Sequence, residues 1–216
     1  MVIDPAVIAT LRSTHVRGGL IEALKHGVIA DAGYLEWIDA ERAALTGRDP
    51  TALERLVRTS VAIKAGVVSA DEREEGRRAI LNAGHTVGHG LELLSSYRLP
   101  HGDAVGLGLV AEAAIAERLG LAPAGLAEDL ARRLRALGLT ATLPEAGADD
   151  LLVEAIRRDK KAAAGAIRMA LPREPGALAT AEPATTVIAE SDVRHALGRA
   201  REILRSGLFH SLSAGS

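Results

Sequence analysis

RRAILNAGHTVGHGLELL, residues 77–94, is the stretch on which the reading of this chain turns. Within it Arg78, Asn82, His85, His89 and Glu92 follow one another at steps of four, three, four and three residues. On a helix of 3.6 residues per turn that spacing places all five on one face. A solvent-facing helix side can look the same, since Arg, Asn and Glu often line one. Gly84 and Gly88 weigh against that plain reading, because a glycine inside a helix costs about 1 kcal/mol relative to alanine. They predict that a ligand, a metal or another segment of chain approaches this backbone closely.

Downstream, LPHGDAVGLGLVAEAAIAERLG (99–120) reads as a helix rich in small residues, buried on most sides, with Gly120 as its stop. His101 stands at its entry, either offered to a ligand or incidental to a turn that Asp103 caps. Upstream, Asp49-Pro50-Thr51 is a helix-start signal, and the face through Leu53, Leu56, Ile63 and Val67 carries Lys64 near its far end. Residues 71–94 are expected to form one long helix with the polar stripe along it. Gly19 to Ile29 and Tyr34 to Leu45 predict two more helices, the first bearing Glu22 and Lys25. Amphipathic helices are expected over 124–137 and 148–158. A small β-hairpin around Pro175-Gly176 is expected within 166–189, then a helix over Ser191 to Leu204 and a frayed tail at 207–216.

The fold class is therefore mainly α. The 216 residues suffice for a sizeable core, and only 2% are aromatic, a usage that suits close-packed helices better than a β-sandwich. A net charge of -2 gives no global footprint for nucleic acid. The chain has no cysteine, so a transition-metal site must be built from histidine and carboxylate. No membrane span and no secretory leader is read, and a cytoplasmic protein is expected.

Glutamate plus two histidines make a nitrogen and oxygen shell suited to zinc, with a fourth position open to water or substrate. The stripe alone does not say which histidines are the ligands. Lys25, Lys64, Arg78 and Lys160 would add a positive field for a phosphorylated, hydroxyl-rich anion.

Three blocks now carry a resemblance to the dehydroquinate synthase family of sugar-phosphate cyclases: GGLIEALKHGVIAD (18–31), KAGVVSADEREEGRRAILNAGHTVGHGLE (64–92) and LPHGDAVGLGLVAEAAIAERLG (99–120). RRDKK (157–161) is a weaker fourth, and all four stand in the family's order. The resemblance covers about residue 2 to 205, and it implies one metal- and substrate-binding helical domain over 1–206. It implies Glu22, His85 and His101 as zinc ligands, with cobalt a possible substitute. It implies catalytic roles for His89, Lys64 and Arg78, His89 at the substrate's phosphate end. Lys25, Asn82 and Lys160 would contact substrate together with those three, with Lys161 adjacent to the last. His26, Val87, Gly90 and Asp103 depart from residues common in the family, and none of them is an implied ligand.

The implied reaction converts 3-deoxy-D-arabino-heptulosonate 7-phosphate to 3-dehydroquinate and phosphate, a step of the shikimate pathway, by an enzyme that works as a homodimer. The implied cofactors are zinc and NAD. No GxGxxG follows a strand pattern here, and Gly106 and Gly108 lie within a helix pattern. The expectation is a chain lacking the family's N-terminal Rossmann-like domain, which would bind most of the NAD, and inactive without it. Cyclases that make 2-deoxy-scyllo-inosose or 2-epi-5-epi-valiolone, or a non-catalytic metal-binding fragment, are the alternatives. Metal-dependent alcohol dehydrogenases are disfavoured, since they have no need of the phosphate contacts at Lys64, Arg78 and Lys160.

Overall fold

Asp49 starts the long helix as its sequence context predicts, its carboxylate accepting the Ala52 N–H at 2.9 Å. In this computed structural model, which describes residues 3–71, 76–159, 166–178 and 184–213, that helix is α4, Pro50–Ala70. Before it come a 3-10 helix, Pro5–Thr10, and α1, Ser13–Ala30. The helix expected at Tyr34 to Leu45 is divided at Glu41 into α2, Ala32–Ala40, and α3, Arg42–Thr46. After α4 follow α5, His85–Leu94; α6, His101–Arg118; α7, Leu126–Ala136; and α8, Asp149–Asp159. The last helix, α9, Glu190–Ser213, stays helical through 207–213, where fraying was expected.

Between α8 and α9 the chain makes two small antiparallel pairs. β2, Pro172–Glu174, pairs with β3, Ala177–Leu178, about the expected Pro175-Gly176 turn, where Gly176 has φ +82°. β1, Ile167–Met169, pairs with β4, Thr186–Ile188, in the register Ile167 to Ile188. Among the described residues no helix is long and apolar enough to cross a membrane.

The core is organised around α6. Every residue from Gly102 to Ala116 is buried, and α1, α5, α7, α9 and β2 all pack on this helix. A helix apolar on all sides belongs at the centre of an assembly of helices. The crossings are unusually close because they run glycine against backbone. A Cβ on Gly102 would lie 2.2 Å from the Gly18 Cα, and one on Gly108 would lie 1.9 Å from the Gly84 carbonyl oxygen. Beside the first crossing, Arg17 grips Asp103 through Nε at 2.8 Å and Nη2 at 2.7 Å. Asp103 thus ties α6 to α1 and does not cap its own helix, whose N-cap, Pro100, is not closed by a side chain.

The expected single helix over 71–94 is not formed. α4 ends at Ala70, and the Asp71 carboxylate accepts the N–H groups of Gly76 (3.0 Å) and Arg78 (2.8 Å). A 3-10 helix, Arg77–Asn82, follows, and Gly84 turns left-handed at φ +79°. The cause lies on α6. The fully buried carboxylate of Glu112 accepts the N–H groups of Gly84 (2.6 Å), Thr86 (3.1 Å) and Val87 (3.3 Å). In a continuous helix those N–H groups would bond to carbonyls four residues back, so their capture by Glu112 starts a new helix at His85.

Candidate metal centre

The two glycine crossings stand next to the predicted ligands. Glu22 lies one turn beyond Gly18 on α1, His101 immediately precedes Gly102, and His85 immediately follows Gly84. Close helix approach therefore brings the three side chains to one point. Glu22 Oε1 lies 3.5 Å from His85 Nε2 and 3.4 Å from His101 Nε2. These separations are long for hydrogen bonds. They match the edge of a tetrahedron, roughly 3.3–3.4 Å, that zinc bond lengths near 2.0–2.1 Å require. One donor atom from each residue falls within 4.8 Å of the others, so the set could hold a divalent ion.

Hydrogen bonds set the ring orientations. His85 Nδ1 lies 3.1 Å from the Ala83 carbonyl, which can only accept, so Nδ1 carries the proton and Nε2 is left with its lone pair toward Glu22. His101 Nδ1 lies 3.2 Å from each Glu92 oxygen, with the same consequence for its Nε2. Burial pushes the His85 imidazole down to about 4, with the Lys25 ammonium as the next cause. A neutral ring is what metal ligation needs. Burial would by itself raise the Glu22 carboxyl, but Lys25, its Nζ 2.6 Å from Glu22 Oε2, holds it below the usual carboxylate range.

A cavity of about 800 Å³ opens beside these groups, lined by Glu22, Lys25, His26, Lys64, Arg78, Leu81, Asn82, His85 and His101 among others. Lys25 is buried and also donates to the Leu81 carbonyl at 3.0 Å. Lys64 comes from α4, and Arg78 and Asn82 from the 3-10 helix. The predicted stripe is thus divided between two elements, and only Arg78, Asn82 and His85 of its members line the cavity. His89 is placed differently. Its ring lies 5.4 Å from that of His85 and 6.1 Å from that of His101, and it is not among the residues lining the cavity. Lys160 and its neighbour Lys161 lie outside the described residues.

Sequence reasoning gave no role to three residues of the site. Glu92 was only a member of the stripe, Glu112 had no signal beyond being an acid in an apolar helix, and His26 was noted only as a departure from the family. His26 is 8% exposed, lines the cavity, and its buried Nδ1 has no hydrogen-bond partner among the described residues. Burial pushes this imidazole down to about 4, with Lys25 second.

The unfolded chain binds protons at both His26 and His85 below about 6.5, while the folded chain binds them only near 4. Stability that is complete above about 6.5 is therefore lost as pH falls from there toward 4, because the unfolded state takes up more protons in that window. Glu22 adds to the loss only at lower pH, below the ordinary carboxylate range. Melting of metal-free protein across this window should show a falling transition temperature, with a shallower fall for His26→Gln. A flat wild-type profile would show that neither imidazole is shielded from water.

Residues 19–162 match the family model described as 3-dehydroquinate synthase C-terminal. Among curated relatives, the 3-dehydroquinate synthase of Symbiobacterium thermophilum is 43% identical over 177 residues, covering 82% of this chain and 49% of the relative. That of Xylella fastidiosa strain 9a5c is 37% identical over 206 residues, covering 90% and 52%. The chain spans about half the length of the curated relatives it matches. Among solved structures, a 2-epi-5-epi-valiolone synthase from Streptomyces hygroscopicus with NAD+ and Zn2+ bound superposes with a TM-score of 0.79 at 25% identity, covering 93% of this chain and 55% of that one. A 2-deoxy-scyllo-inosose synthase complexed with carbaglucose-6-phosphate, NAD+ and Co2+ gives the same TM-score at 22% identity, covering 91% and 54%, and supports the fold.

Proposed function

This chain belongs to the 3-dehydroquinate synthase family, and from that premise we propose that residues 1–206 form the metal- and substrate-binding domain of a 3-dehydroquinate synthase. The proposed reaction takes 3-deoxy-D-arabino-heptulosonate 7-phosphate to 3-dehydroquinate and phosphate. The observation that carries the proposal is the convergence of Glu22, His85 and His101 at the wall of one cavity that Lys25, Lys64, Arg78 and Asn82 also line. The curated relatives named for this activity, at 37–43% identity, favour it over the substrates of the two solved cyclases described above, which are 22% and 25% identical.

Glu22, His85 and His101 would hold zinc, which when bound supplies a Lewis acid for a substrate hydroxyl or carbonyl. NAD would supply the hydride chemistry of the complete protein. The described strands form only two short antiparallel pairs, so dinucleotide would be held mainly by polypeptide other than these residues. Lys64 and Arg78 enter the cavity from α4 and from the 3-10 helix after it, and would bind and orient the anionic groups of the substrate. Asn82 can both donate to and accept from a sugar hydroxyl. Lys25 is already engaged by Glu22 and the Leu81 carbonyl, so its part would be to keep Glu22 ionised and to present the remaining N–H to substrate. His89, next to both ligand rings, would handle a proton at the substrate's phosphate end.

Metal analysis of Glu22→Ala and His101→Ala tests the site. Each change removes one of three protein ligands, and zinc content after dialysis should fall from about one ion per chain to a small fraction. If both variants kept full occupancy, the ligand assignment would be wrong.

A further inference from the structure

We infer that Glu92 is a positioning residue of the metal centre, acting through His101; this rests on the zinc reading above. α5 presents His85 at its first residue and Glu92 two turns later, on the same face. Both Glu92 oxygens stand 3.2 Å from His101 Nδ1, and the Glu92 side chain is only 15% exposed. The His101 side chain, at the first residue of α6, is 49% exposed. Packing alone does not hold a half-exposed imidazole in one orientation. A carboxylate that accepts its Nδ1–H does so, and it also fixes the tautomer that leaves the Nε2 lone pair facing Glu22.

The two ligand histidines are therefore held in different ways. His85 is locked by the main chain of its own segment, through the Ala83 carbonyl. His101 depends on a side chain from the neighbouring helix. Because α5 carries both His85 and Glu92, its position sets both imidazoles of the site together.

A rival arrangement lies beside the first. His89, Glu92 and His101 also bring one donor atom each within 4.8 Å of one another, which would make Glu92 a ligand. His101 Nδ1 cannot donate to Glu92 and bind an ion at the same time. The cavity separates the two arrangements. Glu22 and His85 line it, whereas His89 and Glu92 are not among its lining residues. The Glu22 set opens on a space that would admit substrate to a fourth coordination position.

The experiment uses the 216-residue chain as wild type, Glu92→Ala, Glu92→Gln and His101→Ala. Zinc affinity is measured by chelator competition, together with metal stoichiometry, the visible spectrum of the Co2+ form and the melting temperature of the metal-free protein. We expect one ion per chain for wild type and for both Glu92 variants. Affinity should be about 10–100-fold weaker in Glu92→Ala, the usual effect of losing such a partner. Glu92→Gln should fall between that variant and wild type, since its amide oxygen still accepts from Nδ1–H. The metal-free melting temperature should be unchanged and the Co2+ spectrum altered, which a merely structural role for Glu92 would not produce. Wild-type affinity in Glu92→Ala, alongside a large loss in His101→Ala, would overturn the inference and leave the zinc reading standing. Two ions in wild type with one lost in Glu92→Ala would make Glu92 a ligand and also overturn it. Wild-type affinity in His101→Ala would instead defeat the zinc reading itself. Should Glu92→Ala fail to fold, the isosteric Glu92→Gln decides, with unchanged affinity and an unchanged Co2+ spectrum counting against the inference.

Discussion

Gly108→Ala is expected to destabilise the protein by about 3 kcal/mol, at the upper end of overpacking effects, and to weaken metal binding. Helix propensity predicts the opposite sign, since alanine in place of an interior helical glycine should gain about 1 kcal/mol. The difference comes from the neighbouring helix. A Cβ at position 108 would stand 1.9 Å from the Gly84 carbonyl oxygen, 2.9 Å from its carbon and 3.0 Å from the Gly88 nitrogen. All three are main-chain atoms, so no rotamer change relieves the clash, and α5 must be displaced from α6. The displacement moves His85, which follows Gly84 directly, away from Glu22 and His101. For a chain of this size the stability loss lowers the melting temperature by roughly 6–12 °C. Thermal melts together with zinc affinity check the prediction. An alanine variant as stable as wild type, with unchanged zinc affinity, would mean that the α5–α6 crossing is looser than this packing shows.

Glu112→Ala is expected to be comparably severe, for a different reason. Its carboxylate is 0% exposed and serves the N–H groups of Gly84, Thr86 and Val87 at the start of α5. Hydrogen bonds to a charged group contribute about 1.5–3 kcal/mol each, and buried donors left without an acceptor cost about 1–3 kcal/mol each. Part of this is offset because the variant no longer buries a charge. A net loss of about 3 kcal/mol, or roughly 6–12 °C, is the expected result. Glu112→Gln should be milder, because one of its side-chain atoms still accepts while its amide group faces N–H donors. Because α5 also carries His85 and Glu92, both variants should bind zinc more weakly than wild type. A Glu112→Ala protein with wild-type melting temperature would show that water reaches the start of α5 and takes over the carboxylate's role.

Much of the helical layout was legible because it rests on local rules. The Asp49-Pro50 start, the buried small-residue helix ending near Gly120 and the Pro175-Gly176 turn each follow from the residues that form them. The glycines at 84 and 88 were correctly read as marking a close approach. The structure supplies the identity of the approaching group, which is α6 and not a ligand. The error at 71–94 has the same origin. Periodicity measures which residues could share a helical face, but it does not register an acceptor placed far along the chain. Glu112 is 28 residues from Gly84, and by taking three N–H groups it ends one element and starts another.

What the sequence alone determined is the helical class, the cysteine-free donor set and, through its resemblance to a family, the names Glu22, His85 and His101. Tertiary structure decided that these three meet, that the Glu92 carboxylate stands at His101 Nδ1, that His26 is buried at the cavity with its Nδ1 unpartnered among the described residues, and that His89 stands beside the His85 and His101 rings and off the cavity wall. The physical reason is range. Capping and amphipathic spacing act within a few residues, whereas the centre exists only where helices distant in sequence cross closely enough, glycine against backbone, for their side chains to share one point.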